Sequence, residues 1–297
     1  MSKLCVQLTG GLGNQMFQYA TGRALAINQN IDLALDTWSG FVRDKEYRRN
    51  YELSALPIHS AEVGLSQRAA LWLYRVATKS LSVTTHLCQP RWYADFYVER
   101  EFVFHADLAA STFRRLTWLI GYWQSPKYFE NHRTLLQAEL MPAPPTSKKF
   151  QELGQKMQRC ESVALGVRLY EESTNPESHS YLGQIKTAND INGAIKRLTD
   201  RRKHLQFFVF CTHRSPIFDE LVLPANTIFV TAADGYKDSI DCMWLLAQCK
   251  HHIFTNSSYY WWGAWLSEAI HKKEEQLIFA ADNFINTDGL CDYWQRF

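Results

Sequence analysis

Two stretches of the chain carry side chains suited to holding a phosphate. Arg168 lies at the end of the apolar segment VALGVRL, where a guanidinium can bind two phosphate oxygens at once. Ser257 and Ser258 lie between the apolar run HIF and the helical pattern YYWWGAWLSEAIH. Hydroxyls at a helix start cap the helix, and together with backbone N–H groups they also form an anion site. A surface arginine and an ordinary helix cap are the plain structural alternatives.

A third candidate is the turn GGLGNQ, which follows a short apolar segment and opens an apolar-periodic helix. Gly11 and Gly13 let a ligand approach the main chain, and Asn14 and Gln15 add amide donors and acceptors in the first helical turn. The run lacks the third glycine of the dinucleotide-binding fingerprint. It is therefore either a ligand-binding turn or a turn that only packs a helix on a sheet.

The surrounding sequence alternates apolar strands with helices. The predicted strands are 4–8, 31–35, 163–169, 205–211, 227–231, 252–255 and 276–280, and the predicted helices are 12–26, 65–81, 126–140, 190–203, 239–250 and 259–271. Such alternation predicts parallel sheets. The proline-rich run MPAPPTSKK at 141–149 is the clearest linker, which favours two domains, 1–145 and 146–297.

Composition limits the function classes. With 46% hydrophobic residues, 21% charged residues and a net charge of +2, the 297-residue chain is typical of a globular protein and gives no reason to expect nucleic-acid binding. No apolar run reaches membrane-spanning length, and the opening residues do not read as a secretory leader. The seven cysteines show no CxxC pair and no Asp-x-Asp triplet occurs, so we expect a cytoplasmic protein with reduced thiols and no metal site.

Three motifs resemble one known family. The runs GGLGNQMFQYATGRALA, GYWQS followed by KYF, and CKHHIFTNSSYYWWGAWL are similar, in this order, to the bacterial α1,2-fucosyltransferases of glycosyltransferase family 11. The resemblance implies an α/β fold of the GT-B type, in which two Rossmann-like domains enclose a cleft. In that arrangement residues 1–145 face the acceptor and residues 146–297 bind GDP-fucose.

The resemblance also implies a reaction. The enzyme would move L-fucose from GDP-β-L-fucose to the 2-hydroxyl of a terminal galactose, with inversion and without a metal ion or other cofactor. The expected acceptor is a galactoside of an O-antigen-type surface glycan carried on a lipid. An enzyme with such an acceptor is expected in the cytoplasm, with peripheral contact at the inner face of the membrane.

Residue roles follow from the same resemblance. Arg168 corresponds to the arginine of the family motif His-x-Arg-x-Gly-Asp and would clamp phosphate, as would Ser257 and Ser258 within the NSS signature. Asp241 would accept from guanine, although an acidic residue in a first helical turn is also favoured by the helix dipole alone. The remaining implied donor-site residues are Gly11, Gly13, Asn14, Gln15, Thr212, His213 and Asn256.

The motif around Arg168 departs from the family. Gly166 stands where the family has histidine, and Glu171 stands in place of the motif's aspartate, with Glu172 beside it. Successive residues of an extended chain point in opposite directions, so at most one of the two glutamates faces the substrate. We expect Glu171 to be the base, with Glu172 or neither as the alternatives.

Other stretches keep two interpretations. The predicted helix 65–81 either packs on the core or lies on a membrane surface, because Arg68, Arg75 and Lys79 accompany Trp72. The aromatic run 90–104 either lines an acceptor groove or packs inside. For the whole chain, the rival functions are an NAD(P)-dependent oxidoreductase that uses the opening turn and Asp36, and a non-catalytic glycan-binding protein.

Overall fold

The chain forms two compact units. The computed structural model describes residues 2–42, 44, 47–78, 86–170 and 185–297. The first unit comprises Met1–Glu139 with Asn286–Gly289, and the second comprises Leu140–Ile285 with Leu290–Phe297. The sequence places 286–289 in the second domain, whereas the structure groups this segment with the first. The reason is that Asp288 accepts a hydrogen bond from Phe104 N (3.0 Å) and pairs with Lys127.

The first unit is a six-stranded sheet with helices. Its strands are β1 (Lys3–Gln7), β2 (Asp32–Asp36), β3 (Ala61–Glu62), β4 (Cys88–Pro90), β5 (Asp95–Val98) and β6 (Leu116–Ile120), in the order β3-β2-β1-β6-β5-β4. Its helices are α1 (Leu12–Gln29), α2 (Leu65–Thr78), α3 (Ala106–Ala110) and α4 (Arg133–Leu140). All described strand pairs are parallel except β4 with β5, a hairpin that the sequence did not predict.

The predicted helix 126–140 is wrong in its first half. Ser125 caps its start as expected, since its Oγ accepts from Lys127 N at 3.4 Å. Two short 3-10 turns, Pro126–Tyr128 and Glu130–His132, then precede α4. Phe129 between them has φ −136° and ψ 5°, which no α-helix accommodates.

The second unit is also a six-stranded sheet, and its described strand pairs are all parallel. Its strands are β7 (Glu161–Gly166), β8 (Leu205–Phe210), β9 (Ile228–Val230), β10 (His251–Phe254), β11 (Ile278–Ala280) and β12 (Gln295–Arg296), in the order β12-β11-β10-β7-β8-β9. Its helices are α5 (Lys148–Gln158), α6 (Ala188–Arg201), α7 (Ser239–Gln248) and α8 (Ser258–Ser267). The predicted alternation is confirmed here, and α5 and β12 are additions to it.

Several tryptophans of the second unit are buried and pack against one another. Trp261, Trp262 and Trp265 of α8 are fully buried, as expected for core residues rather than ligand contacts. Trp294 packs on Trp261 at 5.3 Å between ring centroids.

The seven cysteines form no disulfide. No helix in the described ranges combines the length and apolarity that a membrane span requires.

Candidate active site

The second sheet has a topological switch point between β7 and β10. The chain leaves β7 toward β8 and β9 on one side and then returns to β10 on the other. In open parallel sheets, ligands bind at the carboxyl ends of the strands at such a point. The segments that leave these two carboxyl ends are 167–170 and 255–258, and they contain Arg168, Asn256, Ser257 and Ser258.

Hydrogen bonds bring these two segments together. Thr255 N donates to Gly166 O (3.0 Å), and its Oγ1 accepts from Arg168 N (2.6 Å). The second bond draws the chain out of the sheet, which explains why β7 ends at Gly166 rather than at the predicted residue 169. The Arg168 guanidinium lies 4.4 Å from the centroid of the Tyr170 ring, and Asn256 Nδ2 donates to the Tyr170 hydroxyl (3.2 Å).

The helix α8 begins at Ser258, within the segment 255–258 described above. Ser257 occupies the N-cap position, although its Oγ is 3.5 Å from Tyr260 N, a long contact for a cap. The first turn of a helix leaves N–H groups without helical partners, and the helix dipole favours an anion there. Asn256 differs from the two serines in that both ends of its side-chain amide are bonded to the protein. Its Nδ2 donates to the Tyr170 hydroxyl, and its Oδ1 accepts from Ile285 N (3.2 Å). Its amide therefore holds neighbouring segments in place.

Two tyrosines that the sequence did not single out fix the start of α8. Tyr260 Oη donates to Phe210 O (2.9 Å) at the end of β8, and Tyr259 Oη donates to Ser239 O (2.6 Å) at the start of α7. The α8 start is thus linked to both segments in which nucleotide contacts were predicted. The only sequence signal is that the two tyrosines occupy the variable positions of the NSS-x-x-WWGAWL pattern.

Tyr260 also explains the glycine at position 166. A Cβ atom on Gly166 would lie 2.4 Å from Tyr260 Cγ and 2.6 Å from each Cδ atom. The ring therefore fills the space beside the strand end that a side chain at 166 would occupy. The departure from the His-x-Arg motif is thus coupled to a specific aromatic residue in this chain.

Asp241 presents a carboxylate near the start of α7. Asp238 caps this helix by accepting from Ile240 N and Asp241 N, both at 2.9 Å. In the described part of the chain no group hydrogen-bonds to the half-buried Asp241 carboxylate. Burial raises its pKa, and the charge of Asp238 raises it further.

Of the other predicted site residues in the second unit, two are described by the structure and two are not. Thr212 and His213 are exposed on the turn after β8, and Thr212 O accepts from Ala232 N (3.3 Å). This turn follows the strand end to which Tyr260 is bonded. Glu171 and Glu172, the predicted bases, lie outside the described residues.

The first sheet has its own switch point, between β1 and β6. Gly10 adopts φ +75°, and a Cβ there would lie 2.5 Å from Asn14 Nδ2, so the turn requires glycine. Gln124, which follows β6, donates from Nε2 to Asn14 Oδ1 (2.7 Å). Gly11 is the N-cap residue of α1, and Gly13 is buried within its first turn. The structure therefore places Gly11 and Asn14 at the carboxyl edge of this sheet.

The side chains of Gln15 and Asp36 form hydrogen bonds within the protein. Gln15 is fully buried, and its Nε2 donates to Gly10 O (2.9 Å) and Asn50 O (2.8 Å) while its Oε1 accepts from Glu52 N (2.9 Å). Its amide ties the 50–52 segment to the glycine turn. Asp36 is fully buried and accepts from Ser39 N (3.0 Å), so it caps the turn after β2. The ribose contact of a dinucleotide enzyme is not available to a carboxylate in this position.

Glu99 is a second carboxylate that the sequence did not single out. It follows β5 directly and accepts from Tyr122 N (2.6 Å) and Trp123 N (3.1 Å), just after β6. Burial raises the pKa of Glu99 to about 7, although the two N–H groups act in the opposite direction. Its position directly after a strand is the signal that could have revealed it.

Two histidines at the start of β10 have structural roles. Burial lowers the pKa of His252 to about 3, and its Nε2 contacts Cys249 O (3.1 Å). His251 contacts Glu161 (3.0 Å). Over the described ranges, no three His, Cys, Asp or Glu side chains are grouped so as to hold a metal ion.

Comparison with known proteins points to one family. The model of glycosyl transferase family 11 matches residues 65–283, more than half of the chain. An α-1,2-colitosyltransferase of Escherichia coli is 29% identical over 274 residues, covering 90% of this chain and 88% of the relative. The O-antigen biosynthesis glycosyltransferase WbnK of Escherichia coli is 23% identical, covering 88% and 89%.

Solved structures show the same fold. NodZ α-1,6-fucosyltransferase soaked with GDP-fucose superposes with a TM-score of 0.54 at 14% identity, covering 89% of this chain and 92% of that one. Similarity at this identity shows the fold alone. The two-sheet α/β architecture is accordingly of the GT-B type, as the sequence predicted.

Proposed function

Because the chain belongs to glycosyl transferase family 11, we propose that it is an inverting α1,2-fucosyltransferase that uses GDP-β-L-fucose. The observation that carries the proposal is the convergence of Arg168 with the start of α8 at the switch point of the second sheet. Cations and backbone N–H groups in one place are what a diphosphate leaving group requires. The acceptor atom in this proposal is the 2-hydroxyl of a terminal galactose.

The diphosphate is held from two sides. The Arg168 guanidinium forms a bidentate pair with phosphate oxygens, and its stacking on Tyr170 limits its rotation. Ser257 and Ser258 add hydroxyls at the positive end of the α8 dipole. Both groups interact more strongly as negative charge accumulates on departing GDP, so they favour the transition state over bound GDP-fucose. No metal ion has a role in this proposal, because arginine and the helix start supply the positive charge.

The guanine of GDP is recognised by the segment around α7. Guanine offers an N1–H and an amino group, two parallel donors that a carboxylate accepts together. The Asp241 carboxylate has no hydrogen bond from the described residues, and the Tyr259–Ser239 bond holds α7 at a fixed position from the phosphate-binding groups. Thr212 and His213 form the neighbouring wall of this nucleotide site.

Proton removal from the acceptor is assigned to Glu171, with Glu172 as the alternative. Direct displacement at the sugar carbon forms the new C–O bond as the bond to GDP breaks. The hydroxyl proton passes to the carboxylate in the same step, and GDP leaves with the electron pair.

The acceptor is proposed to be a galactoside of a lipid-linked O-antigen-type unit. This choice is supported by the relative whose name assigns it to O-antigen biosynthesis. A second donor remains a candidate, because the other relative named above is a colitosyltransferase. Colitose differs from fucose by lacking the 3-hydroxyl, so discrimination depends on a single polar group of the donor.

The test is acceptor-dependent release of GDP in the presence of EDTA. GDP-fucose and GDP-colitose are compared as donors with lactose and a panel of galactosides, using wild type, Arg168→Ala, Glu171→Gln and Glu172→Gln. Arg201→Ala, at the exposed end of α6, is the matched arginine control. We expect turnover that survives EDTA, is lost in Arg168→Ala and persists in Arg201→Ala. Absence of turnover with either donor, together with absence of GDP binding, would contradict the transferase assignment and favour a glycan-binding protein.

A further inference from the structure

The helix α2 is apolar on the side that faces solvent. Its inner side is held in the core by Leu71 and by Tyr74, whose ring stacks on Phe96 at 4.1 Å. Four large side chains outside this contact are substantially exposed: Leu65 (86%), Trp72 (63%), Leu73 (42%) and Val76 (46%). Core packing, one of the two interpretations of this helix, therefore explains only its inner side.

These exposed residues form one stripe. At about 100° per residue, Leu65, Ala69, Trp72, Leu73 and Val76 fall within an arc of roughly 100° on the helix surface. This stripe is called here the outer face of α2. Contiguous apolar surface on a folded protein marks a site of contact with a partner or a membrane, whereas single exposed apolar residues need no explanation.

Charge identifies the partner. Arg68 and Arg75 are seven residues apart and border the outer face along one edge, and Arg91 lies 5.9 Å from the Tyr74 ring beside the helix. The helix contains no acidic residue; Glu62 precedes it, and the next acidic residue after it is Asp95. An apolar stripe containing tryptophan and bordered by arginines matches an anionic lipid surface, where the ring enters the headgroup boundary and the cations meet phosphates.

A second copy of the chain fits less well. A two-fold contact through the outer face would bring the same arginines of both copies to one interface. With no carboxylate on either helix, like charges would meet in a poorly hydrated place. The same arginines are favourable against phosphate headgroups.

We propose that the outer face of α2 docks this protein on the surface of a membrane containing anionic phospholipids. A neighbouring segment extends the contact, since Arg75 Nη2 lies 3.4 Å from Ser39 Oγ, and the adjacent Trp38 is 57% exposed. The inference does not depend on the transfer reaction, because attachment is measured without substrates.

The experiment is co-sedimentation with sucrose-loaded vesicles of 70% phosphatidylcholine and 30% phosphatidylglycerol. The variant is Trp72→Ser/Val76→Ser, which alters only exposed side chains. The matched control is Val222→Ser, which removes a comparably exposed residue (73%) from the second unit. Circular dichroism and urea unfolding verify that all three proteins are folded.

We expect the wild type to bind these vesicles, to bind pure phosphatidylcholine vesicles far less, and to be released as NaCl is raised. The double variant should lose about tenfold or more in partition coefficient, and Val222→Ser should match the wild type. Equal binding of the double variant and the wild type, or no binding to anionic vesicles, would overturn the proposal. So would a concentration-dependent dimer in light scattering that the double variant abolishes, since the outer face would then be a contact between copies.

Discussion

A single methyl group at position 166 should disturb the candidate active site through Tyr260. In Gly166→Ala the new Cβ would lie 2.4 Å from Tyr260 Cγ, whereas ordinary van der Waals contact begins near 3.4 Å. The ring must therefore move by about 1 Å, and its hydroxyl then loses the 2.9 Å bond to Phe210 O. Gly166 does not have a positive φ, so the cost comes from contact rather than from backbone strain.

The size of the effect follows from two contributions. Overpacking a buried site costs about 1–3 kcal/mol, and the lost hydrogen bond adds about 1 kcal/mol. We therefore expect Gly166→Ala to lower the free energy of unfolding by about 2–4 kcal/mol. GDP affinity should fall as well, because the displaced ring belongs to the first turn of α8.

A double-mutant cycle separates contact from other causes. Urea unfolding is measured for the wild type, Gly166→Ala, Tyr260→Ala and the double variant. Without the ring, the alanine at 166 has space, so its cost in the Tyr260→Ala background should be near zero. The coupling energy should then equal nearly the whole cost, about 2–4 kcal/mol, which is at or above the upper end of the range for residues in direct contact.

The same cycle can refute the argument. If Gly166→Ala costs the same in both backgrounds, the two residues are not coupled and Tyr260 does not account for the missing side chain. A further variant extends the test, because Gly166→His restores the first residue of the family motif. We expect it to unfold at lower urea concentration than the wild type when Tyr260 is present and to be tolerated in Tyr260→Ala.

Three further predictions concern Glu99, Asp241 and Tyr259. With the pKa of Glu99 raised from 4.5 to about 7, the folded chain binds the extra proton between these values, so its stability falls as pH rises through that window. The free energy of unfolding of Glu99→Gln, measured with urea, should match that of the wild type at pH 5. At pH 8 it should exceed that of the wild type by about 1–2 kcal/mol, a range that allows for the partial exposure of Glu99. Asp241→Asn should weaken GDP binding about tenfold and leave ADP binding unchanged in calorimetric titrations, because only guanine offers the paired donors. Tyr259→Phe should lower the free energy of unfolding by about 1 kcal/mol, measured with urea, through loss of its bond to Ser239 O.

Each of these has a contradicting result. Glu101→Gln, an exposed neighbour, is the control for Glu99, and a pH-dependent difference of equal size in both variants would refute the buried-carboxylate explanation. Equal loss of GDP and ADP affinity in Asp241→Asn would remove this residue from guanine recognition. An unchanged unfolding midpoint in Tyr259→Phe would mean that its hydroxyl does not stabilise the start of α8.

Local patterns predicted the elements better than their contacts. The strand and helix alternation of the second unit is visible in the sequence because each segment has its own periodicity and its own caps. The same holds for the buried tryptophans of α8, whose immediate neighbours in the sequence are tyrosine, glycine, alanine and leucine. The interrupted helix after Ser125 was missed because the non-helical backbone of Phe129 has no signal in residue type.

Long-range partners decided the roles of individual side chains. Gln15 looks suited to a ligand in a first helical turn, yet its amide is bonded to Asn50 and Glu52, which are more than 30 residues away in the chain. Burial raises the pKa of Glu99, and the two N–H groups that oppose this shift belong to residues that follow another strand. The fit of Tyr260 against Gly166 likewise depends on parallel pairing of β7 with β10. None of these contacts can be derived from local sequence.

GDP binding tests the central claim most directly, namely that Arg168 and the start of α8 form the diphosphate site. Calorimetric titration is carried out with the wild type, Arg168→Ala and Ser257→Ala/Ser258→Ala, with Arg201→Ala as the control. We predict that the wild type and Arg201→Ala bind GDP with EDTA present and that both site variants lose about tenfold or more in affinity, as expected for charge-assisted hydrogen bonds. GDP affinity that is unchanged in Arg168→Ala, or a wild type that does not bind GDP, would contradict the account.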